Sequence, residues 1–136
     1  MTSPTLVIAD DDADMRALVR DVLRPEYPEA IELADGRQLF WHLMRASFGV
    51  TGTKRDIVIV TDLKMPTYSG LEVLDAWHDP TSATPMIVIT AFPDETVRKR
   101  ARMLDATLLA KPFSRAQLRE AVHETVRRAR MNGAIS

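Results

Sequence analysis

Four short apolar runs in this chain each stop abruptly at a polar side chain. The run Thr5–Ala9 (TLVIA) meets Asp10, Asp11 and Asp12, and residues 57–60 (IVIV) lead through Thr61 to Asp62. The run Met86–Thr90 (MIVIT) ends on a hydroxyl beside the small Ala91, and Thr107–Ala110 (TLLA) meets Lys111. Clustered carboxylates repel one another unless a cation joins them. Mg²⁺ favours oxygen ligands in an octahedral shell with retained waters, and a phosphoryl group can share the ion. One carboxylate can then attack phosphorus in line, a reaction that asks for little beyond positioning and charge stabilisation. Lys111 would give the phosphoryl oxygens a positive charge, and Thr90 would give them a hydroxyl donor. Phosphoryl transfer to an aspartate is within reach of these side chains, provided the fold brings them together.

The surrounding pattern says how it would. Residues 57–60 are all β-branched, as in a strand buried on both faces. Thr61 and Asp62 carry the chain off that strand's end, Pro66 blocks strand and helix alike, and Gly70 opens a new helical pattern. After the first run, Met15, Leu18, Val19, Val22 and Leu23 fall at helical spacing until Pro25 and Pro28. Residues 30–34 alternate as a second strand, and Gly36 begins a helix with Leu39, Phe40, Leu43 and Met44 on its apolar face. Residues 48–55, with two glycines, read as a loop. Leu71, Leu74 and Trp77 make a short helix face ended by Asp79 and Pro80. Pro93, Asp94 and Glu95 suit a helix's first turn. Ser114 and Gln117 form a capping box before a last helix lined by Leu118, Ala121, Val122, Val126 and Ala129. Five strand–helix alternations argue an α/β fold, a five-stranded parallel sheet with five helices on both faces. Right-handed crossovers put every strand's carboxyl end on one edge, where open α/β sheets bind ligands. Asp10, Asp11, Asp62, Thr90 and Lys111 should therefore converge.

Composition narrows the alternatives. The chain has 136 residues, enough for one domain with a real core, which predicts a single domain over 1–136 with its core at about 4–130. Hydrophobic residues make up 46% and charged residues 27%, as is ordinary for a globular chain. A formal net charge of −1 gives no electrostatic case for nucleic acid or a membrane. The absence of cysteine excludes disulfides, thiol nucleophiles and cysteine-ligated metals. No apolar run approaches a membrane span and the first residues do not read as a signal peptide, so the cytoplasm is the expected location.

With LVIADDD, TDLKMPTYSGLEVL, MIVITA and LLAKPF in this order, the chain resembles a receiver domain of two-component response regulators, of the single-domain, chemotaxis-receiver type. The resemblance covers nearly the whole chain. It implies a flavodoxin-like fold of strand order 2-1-3-4-5. Carried over residue by residue, it makes Asp62 the phosphoacceptor, Asp11 a direct Mg²⁺ (or Mn²⁺) ligand and Asp10 a ligand acting mainly through water. The backbone carbonyl of Lys64 becomes the third protein ligand. Thr90, followed by Ala91, becomes the switch hydroxyl, and Lys111 the phosphoryl-binding cation, with a cis bond to Pro112. A histidine kinase or histidine phosphotransfer protein would be the donor and a downstream protein the target. A homodimer through the fourth helix, fifth strand and fifth helix would be compatible with the family. Such a domain modifies itself and turns over no metabolite, so it is not an enzyme in the usual sense. The chain ends shortly after its last helix, which predicts either signalling by protein contact alone or a receiver cut from a longer regulator.

Three departures from the family pattern stand out. Leu108 occupies the position where the family usually has Tyr or Phe, so the two-position aromatic readout should be missing. Asp105-Ala106 replaces the usual Gly-Ala in a loop one residue short, and the loop at 48–55 is longer than usual. Two other classes compete. A Mg²⁺-dependent phosphohydrolase would use Asp10 as nucleophile with Asp12 as acid/base, but it leaves Asp62 and the Met65-Pro66 turn without a role. A receiver-fold interaction module that takes no phosphate would lack an acid or the lysine, and neither is missing. Other features have plainer readings. Asp12 or Asp14 is a natural helix N-cap. His42, His78 and His123 have no ligand spacing and read as structural or solvated. The arginines of the last helix (Arg115, Arg119, Arg127, Arg128, Arg130) read as a solvated face. Trp41, Phe40 and Met44 read as core, and Tyr68 and Phe92 as loop residues flanking the acidic site.

Overall fold

The computed structural model describes residues 3–47, 56–77 and 84–135. The expected loop at 48–55, His78 and the helix end at Asp79 and Pro80 lie outside the described residues. In chain order the elements are β1 (Thr5–Ala9), α1 (Ala13–Leu23), β2 (Ala30–Leu33), α2 (Gly36–Ser47), β3 (Ile57–Asp62), α3 (Gly70–Trp77), β4 (Met86–Thr90), α4 (Glu95–Met103), β5 (Thr107–Ala110) and α5 (Arg115–Met131). The strands form one sheet of order β2-β1-β3-β4-β5, with every neighbouring pair parallel. This is the flavodoxin-like order.

Strand side chains alternate between faces, and the alternation sorts the core into two halves. Leu6, Ile8, Val58, Val60, Ile87 and Ile89 pack with Val19, Val22 and Leu23 of α1 and Leu118, Val122 and Val126 of α5. Val7, Ala9, Ile59, Met86 and Val88 pack with Leu39 and Leu43 of α2 and Leu71, Val73 and Leu74 of α3. Continued to the strand ends, the same alternation puts Asp10, Asp62 and Lys111 in the register of the α1/α5 face, and Thr90 and Leu108 in that of the opposite face. β3 runs two residues further than residues 57–60. Thr61 pairs with Ala9 and Asp62 with Ile89, so Asp62 is the strand's last rung rather than a residue beyond it.

The helix starts follow from capping. The Asp12 carboxylate accepts from the N–H groups of Asp14 and Met15, so Asp12, not Asp14, caps α1. Asp94 caps α4 by accepting from the Val97 N–H. Ser114 and Gln117 make the reciprocal capping box of α5. One apolar expectation needs correction, and others hold only in part. Trp41 is not core: it is 56% exposed, because its place on α2 turns it away from the sheet. Phe40 and Met44 are half-buried, as are Ala121 and, on the edge strand β5, Leu108. An edge strand lacks a neighbour on one side, so its side chains stay partly open.

Candidate functional site

Asp10 is fixed at almost every polar atom. Its N–H donates to the Leu33 carbonyl at 3.1 Å, continuing the β1–β2 ladder by one rung. Its Oδ1 accepts the Asp12 N–H at 2.9 Å, and its carbonyl accepts an Arg16 guanidinium N–H at 2.6 Å. The exception is Oδ2, which is buried and has no partner among the described residues. Asp11, next to it, is exposed. Asp62 is 7% exposed and meets the Lys111 ammonium at 3.2 Å. Asp10, Asp11 and Asp62 each offer a carboxylate oxygen, and these oxygens all lie within 4.8 Å of one another. β1 and β3 are adjacent strands, so Asp10 and Asp62, far apart in sequence, become neighbours.

Burial dominates the titration of both buried acids. Asp10 is pushed up to about 6 by loss of hydration, opposed by the Asp12 N–H and raised further by the charge of Asp62. Asp62 is also raised, mainly by burial, while the charge and hydrogen bond of Lys111 pull it back. Acids of raised pKa, packed together around an unpartnered oxygen, suit a divalent cation bound through oxygen.

Thr90 ends β4, one residue past the rung where Asp62 pairs with Ile89. It is buried, its hydroxyl accepts the Phe92 N–H at 3.1 Å, and its carbonyl accepts the Lys111 N–H at 2.8 Å. Ala91 is exposed beside it, and the Lys111–Pro112 peptide is cis. Lys64, two residues past Asp62, turns its ammonium over the ring of Phe92, 5.7 Å from the centroid. Phe92 is otherwise open, at 71% exposure.

Two glycines hold the loop after Asp62 in place. A Cβ on Gly70 would stand 2.5 Å from the Asp62 carbonyl oxygen and 2.9 Å from Thr61 Oγ1. A Cβ on Gly36 would collide with the Tyr68 backbone, and the Gly36 N–H donates to the Pro66 carbonyl. Thr67 between them sits at a φ of 76°, in the left-handed region.

The structure thus gathers the three acids and Lys111, and sets Thr90 at the neighbouring strand end. Asp12 stands apart with its carboxylate committed to the α1 cap. His42 and His123 lie away from the cluster, and burial and Arg45 lower the pKa of His42. The α5 arginines are mostly solvated and make ion pairs: Arg115 with Asp21, Arg119 with Glu26, and Arg127 with Glu124. Sequence reasoning missed Arg16 and the Lys64–Phe92 contact. Arg16 follows Asp10 by six residues on the helix leaving the site, a spacing that allows a return contact but does not reveal it.

The family model of the response regulator receiver domain matches residues 6–123. Sporulation initiation phosphotransferase F of Bacillus subtilis is 25% identical over 123 residues, spanning 90% of this chain and 93% of its own. The transcriptional regulatory protein PrrA of Mycobacterium tuberculosis is 30% identical over 131 residues, which cover 94% of this chain but 52% of PrrA. The chain therefore spans about half the length of that relative. In fold, it is similar to the chemotaxis response regulator CheY4 of Vibrio cholerae, with a TM-score of 0.74 and 23% identity over 91% of this chain and 99% of that one. It is also similar to the receiver domain of the Francisella response regulator 1452, with a TM-score of 0.72 and 22% identity over 93% and 99%.

Proposed function

Because the chain belongs to the receiver domains of two-component response regulators, we propose that Asp62 is its phosphoacceptor and that residues 1–136 act as one phosphoryl-accepting switch. The observation that carries this reading is the meeting of Asp10, Asp11 and Asp62 with Lys111 at one sheet edge. The unpartnered Asp10 Oδ2 fits a cation site. Mg²⁺ or Mn²⁺, held by Asp10, Asp11, Asp62 and the Lys64 carbonyl, would neutralise the acids and take up phosphoryl charge.

The rest is done by the chain's own groups. A carboxylate oxygen of Asp62 attacks the phosphorus of a phosphohistidine on a histidine kinase or phosphotransfer protein. The new O–P bond forms as the P–N bond breaks, and the electron pair leaves on the imidazole nitrogen. Lys111 moves its charge from the free carboxylate to the phosphoryl oxygens. Thr90 gains an acceptor for its hydroxyl hydrogen. Water later hydrolyses the acyl phosphate, so the domain handles only its own phosphoryl group. A downstream protein would read the change, in the cytoplasm. The face of α4, β5 and α5 is where a homodimer would form. Against the phosphohydrolase reading, Asp12 has its carboxylate occupied by the helix cap rather than free as an acid/base.

Mass spectrometry after incubation with Mg²⁺ and acetyl or amido phosphate tests the assignment. One added phosphoryl group is expected, lost in Asp62→Asn and kept in Asp12→Asn. Phosphate on Asp10 would overturn it.

A further inference from the structure

Arg16 reaches from α1 to grip the backbone of the acidic site, and the phosphoryl-transfer reading gives it no task. It leaves α1 and turns back, donating to the Asp10 carbonyl at 2.6 Å. Its Nε lies 3.6 Å from Glu32 Oε1 on β2, and the other oxygen of Glu32 accepts from Arg20 at 2.7 Å. Glu32 pairs in register with Ile8, two residues before Asp10. Arg16 thereby ties three elements, α1, β1 and β2, at the point where the chain leaves the sheet.

The Asp10 carbonyl has left the strand ladder and would otherwise depend on water for a partner. A charge-assisted bond from Arg16 fixes it, and the Asp12 N–H fixes Oδ1. With the peptide plane and one carboxylate oxygen held, the direction of Oδ2 is set. Asp11, on the next peptide, is set with it.

We propose that Arg16, anchored by Glu32, is a positioning residue that holds the Asp10–Asp11 backbone in the geometry needed for divalent-cation binding, without touching the cation. This rests on Asp10 and Asp11 being ligands. It makes cation affinity depend on a residue of opposite electrostatic preference. As a bare charge, Arg16 repels a cation, so its removal should tighten binding. As a positioning group, its removal should weaken binding. The sign of the change separates the two.

The test is Mg²⁺ titration of the unphosphorylated full chain, read by thermal shift and by amide exchange at Asp12. Wild type, Arg16→Met, Arg16→Lys and Glu32→Gln are compared, with Asp11→Ala as the control for the site. Arg16→Met should raise the Mg²⁺ dissociation constant about tenfold and speed exchange of the Asp12 amide. Arg16→Lys, which can still donate to the Asp10 carbonyl, should recover part of the affinity. Glu32→Gln should weaken binding by a smaller factor and keeps the question open to test should Arg16→Met fail to fold. Unchanged or tighter Mg²⁺ binding in Arg16→Met and Glu32→Gln, with a normal response in wild type, overturns the proposal alone. A wild type whose stability ignores Mg²⁺ overturns the metal site and the proposal together.

Discussion

In the absence of a cation, Asp10 holds its proton to about pH 6, and Asp62 is shifted the same way. The unfolded chain releases the Asp10 proton near 3.8, so between those values the folded state binds more protons. Stability of the metal-free protein therefore falls as pH rises through that window. Melting in chelator should be higher at pH 5 than at pH 7, by about 1–2 kcal/mol for Asp10 alone. Millimolar Mg²⁺ should narrow that difference, because it favours the ionised acids, and should add about 1.4 kcal/mol at pH 7 at tenfold over its dissociation constant. Calorimetry of wild type and Asp10→Asn checks this, the variant losing most of the chelator-dependent slope. A metal-free protein that is steadily more stable toward pH 7 would contradict it. At this scale the sequence was informative, since Asp10, Asp11, Asp62 and Lys111 each stand at the end of an apolar run. Arg16 was illegible because its partners, a carbonyl and Glu32, are fixed by register, which no residue type announces.

The loop between β3 and α3 is held by contact rather than by its own hydrogen bonds alone. Gly70→Ala would drive a methyl against the Asp62 carbonyl and Thr61, both immobile in the sheet. It should cost about 1–3 kcal/mol and slow Asp62 phosphorylation more than Asp75→Ala, an exposed change on the same helix. Phosphorylation rates and denaturant melts of the two variants check this. On the other side of the site, the Thr90 hydroxyl holds the Phe92 N–H in the unphosphorylated state. A hydroxyl drawn to a phosphoryl group would loosen that bond and release the segment leading into α4. Thr90→Ala should speed amide exchange at Phe92 and uncouple partner binding, while leaving phosphorylation of Asp62 largely intact. Beryllofluoride should move NMR signals over residues 91–104; silence there, with the largest changes in α1, would disprove the route. Leu108→Ala should cost about 1–2 kcal/mol, below the range for a fully buried leucine, because this edge position is half-open. The end of α1 before Pro25 and the capping box that starts α5 were legible, whereas the cap of α1 was narrowed only to Asp12 or Asp14. Exposure was not: Trp41 and Leu108 read as apolar in sequence, and only the placement of α2 and the sheet edge decides how much of each is covered.

The whole sheet was legible because strand and helix patterns alternate and handedness leaves few topologies. The assignment of side chains to faces was not, since it depends on where each strand begins its alternation. That assignment separates the site's parts. Asp10, Asp62 and Lys111 belong to the register facing α1 and α5, and Thr90 belongs to the register facing α2 and α3. A one-residue slip in β3 would exchange Thr61 for Asp62 and send the acid to the other side. On the proposed reading, the phosphoryl group would be accepted at the rim of the sheet on one side, and Thr90 would respond from the other. Val97 of α4 and Leu104 after it pack in the α2/α3 half of the core, so a donor docking against α1 and a reader docking against α4 would approach from opposite sides of the sheet. Traffic would then pass through the domain as through a turnstile: the reader would wait in place while the donor delivers and departs, and neither would have to make room for the other.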